Sequence, residues 1–470
     1  MSEHQNQQQE NNENKESISR FEKMLQSKSS SFFDVDEFER IIDHYLDNLN
    51  YNYASQAIKI AIRQHPESMH LKIKKAQLHI IKEQPMEALA VLKQIDDQSG
   101  TNFDLVFLKG NAFNQLGQYD SAIVCFNELL GQPLSDVPNV LFRISVSFIN
   151  QGQYDLALLY LQKGLELDPY DINLLFESAF CHQQKEEFDR SIEFYNRYLD
   201  EYPFNDIVWI NLAIAYNELE QFDKASDACD YAIALDEKFG MAWFHKANAF
   251  AGKQEFEQAI VFYSQCLSCD TEEDAEVHCC IAECYEKLGI NEKSTEHYKR
   301  SLEIDEEFAD SWYGLSVLSY NKAEYEDSLK YIKKALYINS ANPDYWYSLG
   351  NIYGKTNDTP KAVEAYNKAV ELNPGDYEAW INLSELYYKQ NHLSKAIKTI
   401  NDAYKHNEDV AIINYRLAAY YYLKGEPKLG LKFFRKGTEL SFAEHTEFFK
   451  ICPDASEFDE IKEILNQNNK

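Results

Sequence analysis

The chain has 470 residues, 44% of them hydrophobic and 14% aromatic, enough to bury a core. With 46 Lys plus Arg against 77 Asp plus Glu, its formal charge of −31 would repel a phosphate backbone, which excludes nucleic acid as the main ligand and favours basic partners. Only 16 Gly and 11 Pro interrupt it, and no apolar run is long enough to span a bilayer, so long helical stretches and no membrane segment are expected.

The opening, MSEHQNQQQENNENKE, has neither the basic start nor the apolar stretch of a secretory signal, which points to the cytoplasm. Its polar tract from Gln5 to Asn12 has nothing to bury, so residues 1–16 are expected to form a disordered tail. Ile18, Phe21, Met24 and Leu25 then follow helical spacing and predict a short capping helix within 17–34.

From residue 35 a repeat sets the organisation. The five tryptophans, Trp209, Trp243, Trp312, Trp346 and Trp380, are separated by 34, 69, 34 and 34 residues, a period that suits a helix-turn-helix unit. With tryptophan in the fourth place, twelve units begin at Val35, Met69, Phe103, Pro138, Ile172, Asp206, Gly240, Ala275, Ala309, Pro343, Tyr377 and Ala411. The twentieth place is small throughout, from Ala54 to Gly430, and the eighth is small in every unit but the first, where it is Ile42. Small residues at both places predict two antiparallel helices pressed together, with Phe or Tyr early in the second helix (Tyr119, Tyr154, Phe188, Phe222) filling the interface.

This pattern resembles the tetratricopeptide repeat family over residues 35–444; the motif is nearly complete in Trp346, Leu349, Gly350, Tyr353, Ala362, Tyr366, Ala369 and Pro374. The resemblance implies an all-α, right-handed α-solenoid superhelix of stacked antiparallel helix pairs. The first three units and the last lack the tryptophan, and Gly430 replaces the usual alanine. After the last unit, Phe448, Phe449, Phe458, Ile461 and Leu465 predict C-terminal capping helices over 445–470, with Glu457, Asp459, Glu460 and Glu463 on an acidic outer face.

Two constellations invite other chemistry. GNIYGKT, Gly350 to Thr356, is one residue short of a phosphate-binding loop, but the repeat places it within a first helix with no preceding strand. Cys266, Cys269, Cys279, Cys280 and Cys284 have spacings that a zinc or redox centre could use. Against that, Cys266 stands where other units have Ala232, Ala335 and Ala369, which reads as a small buried filler. No catalytic motif stands outside the repeat, so neither an enzyme nor a cofactor or metal is expected.

Function is sought on the concave face that the family resemblance assigns to the first helices. Its fifth places carry Phe107, Phe142, Phe176, Ile210, Phe244, Tyr313, Tyr347 and Tyr415, a ladder that serves either a partner or the packing of neighbouring helices. Asn111, Asn248 and Asn351 at the ninth place, with Asn211 and Asn382 at the sixth, could bond an extended peptide backbone, as the similarity to the superhelical repeats of O-GlcNAc transferase implies. Asn351, Asn382 and Arg416 also fall at places used by repeats that clamp chaperone tails, but Tyr347 and Ile412 stand where lysines should be, so no strong tail binding of that kind is expected. The expectation is a non-catalytic scaffold or adaptor holding a peptide or partner subunit, favouring basic ones. Its alternatives are a metal- or redox-active protein using Cys266 to Cys284, or a self-assembling structural subunit; no oligomeric state follows from the sequence.

Overall fold

The computed structural model describes residues 2–27, 30–95, 102–269, 274–454 and 458–468. The chain falls into two units, Met1–Gln221 and Phe222–Lys470. The first holds α1 (Ser2–Ser27), α2 (Val35–Asp47), α3 (Tyr51–Gln64), α4 (Met69–Ile81), α5 (Pro85–Leu92), α6 (Phe103–Gln115), α7 (Tyr119–Leu130), α8 (Val137–Ile149), α9 (Tyr154–Leu167), α10 (Ile172–Gln184), α11 (Phe188–Glu201) and α12 (Asp206–Glu218). The second holds α13 (Phe222–Leu235), α14 (Gly240–Gly252), α15 (Phe256–Cys269), α16 (Ala275–Lys287), α17 (Asn291–Ile304), α18 (Ala309–Asn321), α19 (Tyr325–Ile338) and α20 (Pro343–Lys355). It continues with α21 (Thr359–Leu372), α22 (Tyr377–Lys389), α23 (Leu393–Tyr404), α24 (Ala411–Leu423), α25 (Pro427–Leu440), a 3-10 turn at Phe442–His445, α26 (Thr446–Ile451) and α27 (Asp459–Asn468). No strand occurs among the described residues, and within each unit consecutive helices pack as an α-solenoid.

Helices α2 to α25 alternate as first and second helices of twelve repeats. Eleven of the first helices begin at the residue the repeat frame predicts, and α8 begins one earlier, at Val137. The turn between first and second helix is equally regular: the fifteenth place takes a left-handed backbone in all twelve repeats, from φ 55° at Leu49 to 85° at Gly425. Glycine fills it only at Gly117, Gly152, Gly289 and Gly425. The other eight turns carry the cost of about 1 kcal/mol that a Cβ incurs there, offset by the packing of the helices they join.

The tryptophan ruler has a local cause. Each indole N–H donates to the carbonyl six residues earlier: Trp209 to Pro203 at 2.8 Å, Trp243 to Glu237 at 3.0 Å, Trp312 to Glu306 at 2.9 Å, Trp346 to Ser340 at 2.8 Å and Trp380 to Pro374 at 3.0 Å. The ring therefore pins the loop that enters its own repeat, satisfying a carbonyl that the preceding helix cannot.

The eighth and twentieth places meet where the helices cross. Ser316 Oγ donates to Ser328 O and Ser328 Oγ to Ser316 O, both at 2.9 Å, so the two backbones approach within the reach of a hydroxyl. A Cβ on Gly350 would stand 2.6 Å from the Tyr366 ring, and one on Gly110 would stand 2.4 Å from Phe126, so larger side chains have no room. Gly430, the departure in the last repeat, has the same origin: a Cβ would meet the Tyr422 ring at 2.4 Å and Ala418 O at 3.0 Å.

Both solenoid ends are covered. Phe21 and Met24 of α1 are buried in a cluster with Phe33, Phe38 and Ile41. This helix starts at Ser2, ahead of the start expected near residue 17, so its backbone takes in the polar tract Gln5 to Asn12, which has no Gly or Pro. At the other end, Phe448 of α26 and Ile461 of α27 are buried with Tyr415 and Phe434. Glu457 lies outside the described residues.

Candidate protein-interaction face

The fifth-place aromatics do not all meet solvent. They pack on the residue nineteen positions later, in the second helix: Phe107 on Phe126, Phe176 on Tyr195, Phe244 on Tyr263, Tyr347 on Tyr366 and Tyr415 on Phe434, with ring centroids 5.5 to 6.3 Å apart. Tyr313 instead lies 5.1 Å from Tyr345 of the next first helix. Phe107, Ile210 and Tyr415 are buried, and the Tyr415 hydroxyl donates to Ser441 O at 3.0 Å, so these three serve the core. Phe142, Phe176, Phe244, Tyr313 and Tyr347 are half-buried. On an α-helix the ninth place is rotated about 40° from the fifth, and the open face lies there.

In the second unit, α18, α20 and α22 hold two neighbouring cavities. One, of about 300 Å³, is lined by Tyr320, Asn351, Lys355, Asn382, Glu385 and Lys389; the other, of about 220 Å³, by Tyr313, Ser316, Tyr320, Ser348 and Asn351. Asn351 Oδ1 accepts from the Tyr366 hydroxyl at 2.6 Å and from Asn382 Nδ2 at 3.3 Å. Asn382 Nδ2 also reaches the Tyr347 hydroxyl at 3.2 Å, and that hydroxyl donates to Glu378 at 3.2 Å. Asn248 repeats the theme, accepting from Tyr263 at 2.5 Å. Tyrosines of the second helices thus fix the amides before any ligand arrives.

The surroundings of the carboxylates change along the first helices of the second unit. Burial, with Asp310 and Glu286 nearby, raises the Glu283 carboxyl, and burial raises Glu286, which accepts from Tyr298 at 3.0 Å. Burial would raise Glu385 too, but the bond from Lys389 at 2.7 Å and the Arg416 charge hold it below its usual value. Arg416 is itself buried: its Nη2 lies 3.4 Å from Glu385 and 3.9 Å from Glu447 of α26, and its Nε has no partner. As a candidate for a partner Arg416 is therefore corrected: it is buried, and its charge is taken up by Glu385 and by Glu447 of the cap.

In the first unit the corresponding places are differently partnered. The Arg143 guanidinium covers Phe107 at 4.4 Å from the ring centroid. Asn111 and Asn211 are half-buried, and Asn111 Oδ1 is buried without a hydrogen-bond partner. The sequence pattern missed Tyr320, Lys355, Glu385 and Lys389, which line the larger cavity of the pair; a search by ninth, twelfth and thirteenth place would have found them.

The segment Gly350 to Thr356 lies in α20 and its cap, where Thr356 Oγ1 donates to Ile352 O at 3.1 Å, so no phosphate-cradling loop exists there. Cys266, Cys279 and Cys284 are buried, and burial pushes the thiols of Cys280 and Cys284 up to about 12, which keeps them protonated and poorly nucleophilic. Among the described residues no group of three or more His, Cys, Asp or Glu side chains is placed to hold a metal ion. No described helix is long and apolar enough to cross a membrane.

Comparison with known proteins agrees with this architecture. Tetratricopeptide repeat models match residues 107–172, 309–342, 343–376 and 365–398. The chain is a tetratricopeptide-repeat protein, and in the general sense of that family a protein-interaction scaffold. Among solved structures it is similar to a chain of the APC/C hetero-tetramer Cut9–Hcn1, with 16% identity over 82% of this chain and 90% of that one and a TM-score of 0.44. A tetratricopeptide repeat protein from Parabacteroides merdae ATCC 43184 matches with 18% identity over 50% of this chain and 92% of that one, TM-score 0.42. YrrB, a TPR protein with an unusual peptide-binding site, matches with 18% identity over 39% of this chain and 95% of that one, TM-score 0.31. No curated protein matches the chain.

Proposed function

We propose that the chain is a non-catalytic adaptor that holds an extended peptide or a segment of a partner subunit along its first-helix faces, with the α18–α22 face of the second unit as the principal site. The observation that carries this reading is the pair of cavities sharing Tyr320 and Asn351, where amides and hydroxyls are already oriented by Tyr366 and Tyr347. An extended backbone offers alternating donors and acceptors, which such a row of fixed polar groups can satisfy without reading side chains. The −31 formal charge supports a basic partner, speeding encounter more than it strengthens the final complex.

The test is capture of partners on immobilised protein at low and high salt, with mass spectrometry, against a variant carrying Tyr320→Ala, Asn351→Ala and Asn382→Ala. Partners retained at high salt by the parent and lost by the folded variant support the reading. A folded variant that keeps every partner refutes it.

A further inference from the structure

Two connections in the first unit carry large apolar side chains where the repeat requires none. The thirty-third place, in the loop between repeats, is Lys238, Glu307, Ala341, Gly375 or Asp409 elsewhere, but Tyr170 and Phe204 here. They are 64% and 86% exposed. Ile207, 55% exposed, occupies a second place that is polar in nine of the other repeats, Asn173, Asp310, Asp344 and Glu378 among them, and apolar in two, Met241 and Ile412. Leu167 and Tyr202 are exposed beside them.

These side chains sit on a fixed edge. Arg197 of α11 donates to Pro169 O at 2.9 Å, tying the 168–171 loop to the last turns of α11. Trp209 holds Pro203 O, and Asn205 Nδ2 donates to the Tyr198 hydroxyl at 3.0 Å, so the 202–205 loop is held from both sides. The same Arg197 lines a cavity of about 740 Å³ between α9, α10 and α11, whose apolar walls include Leu158, Leu159, Leu165 and Phe194. Arg197 thus borders both the 168–171 loop and this cavity, whose lining also carries Lys185, Arg190, Glu187 and Glu193.

The rim decides what fits it. Asp168, Asp171, Asp200, Glu201 and Asp206 surround the ridge, and none is in an ion pair among the described residues. Asp168 and Asp171 are held by the backbone N–H of Tyr170 at 3.2 Å and of Asn173 at 2.9 Å, so their charges do not move away. The nearest cation, Arg197, is engaged with Pro169 O and lies over the Phe194 ring. A second copy meeting this edge through the same face would set two such carboxylate groups against each other, which costs affinity.

We propose that this edge is a second docking surface, independent of the α18–α22 face, for a segment of another protein in which leucine- or phenylalanine-like side chains alternate with lysine or arginine. Tyr170, Phe204 and Ile207 supply the contact area and the five carboxylates select the basic flanks.

Three labelled probe peptides of equal length, titrated by fluorescence anisotropy, test it. One alternates Leu and Phe with Lys and Arg, one replaces the basic residues by Glu, and one replaces Leu and Phe by Ser. The first is expected to bind, and Tyr170→Ser with Phe204→Ser to weaken it about tenfold or more. Asp200→Lys with Glu201→Lys, which leaves the aromatics in place, should weaken it by about as much at low salt and by less at high salt. Asn351→Ala with Asn382→Ala should leave this probe unaffected, which separates the edge from the α18–α22 reading. Equal binding of the basic apolar probe by parent and both edge variants, or equal binding of the acidic probe, would overturn the proposal. So would a dimer in concentration-dependent light scattering that Tyr170→Ser with Phe204→Ser abolishes, because a second copy would then be the occupant.

Discussion

The α18–α22 face and the α9–α12 edge are built on one repeat frame and present opposite surfaces to solvent. On the face, polar groups are exposed and tied: Asn351 and Asn382 are bonded to Tyr366 and Tyr347 and line a cavity. On the edge, Phe204 and Tyr170 are mostly exposed, so their size is not used in the core. The difference teaches where to look in a repeat protein. Residues that define the motif are consumed by the fold, as the tryptophans are by their own loops; residues that break the pattern without repairing a local clash are the ones to test against a partner. Gly430 breaks the pattern and is structural, because Tyr422 fills its place. Phe204 breaks it and packs nothing away.

The sharpest way to break this distinction is at the helix crossing under the face. Gly350→Val would push two extra methyl groups and a Cβ into the Tyr366 ring that orients Asn351. A loss of about 3 kcal/mol is expected. Because each repeat contacts chiefly its neighbours, the loss should appear as reduced hydrogen-exchange protection concentrated in α20 and α21. Gly117→Ala, in an open turn at φ 70° with nothing within 4 Å, should cost only about 1 kcal/mol. Equal losses would mean that turn strain, not the crossing, limits stability.

A smaller effect separates a half-buried, loop-pinning aromatic from an exposed one. Trp346→Phe removes the indole bond to Ser340 O and should cost about 1 kcal/mol, with the loop before α20 exchanging faster. Phe204→Ser should change stability by less than about 0.5 kcal/mol, since its ring is already in water. A substantial loss from Phe204→Ser in a denaturant titration would return that residue to the fold and weaken the edge as a docking surface.

Much of the frame was legible in the sequence because a 34-residue period is written redundantly. Small residues at the eighth and twentieth places and tryptophan at the fourth fix the phase, and eleven helix starts follow to the residue. The face was less legible. The fifth place fits either a partner or helix packing by sequence, and an aromatic there is within reach of the second helix of its own repeat, as Phe107 on Phe126 and Tyr415 on Phe434 are. Periodicity places a residue on a side of a helix; it does not say how far the neighbouring ring covers that side. Arg416 was obscured for a different reason, since its cover comes from Glu447 in a cap that follows no repeat. At Cys266 filling is legible in the sequence because other repeats supply Ala232, Ala335 and Ala369 at the same place, and the thiol is buried.

The smallest expected effect tests the electrostatic gradient along the face. Glu283 has its carboxyl pKa raised in the folded protein, chiefly by burial and then by Asp310 and Glu286. The folded state therefore binds more protons than the unfolded one above about pH 4, so this group's contribution is fully present below that value and is lost as pH rises through the raised one. Glu283→Gln removes the titration and should raise the thermal midpoint at about pH 7 while changing it little at about pH 4. The gain will be modest, because the residue still meets solvent although protein crowds its carboxyl, and water screens its neighbours. Glu385 has the opposite sign: the Lys389 bond and the Arg416 charge, acting against burial, depress it, so its contribution is present above the unfolded value and is lost as pH falls through the depressed one. Glu385→Gln should accordingly lower the midpoint at about pH 7 and lose its effect in acid. Two variants on one face, moving in opposite directions at neutral pH, would show that the face is a repulsive acidic wall at α16 and a paired, ordered one at α22. Shifts in the same direction would show that its charges act as a single screened field.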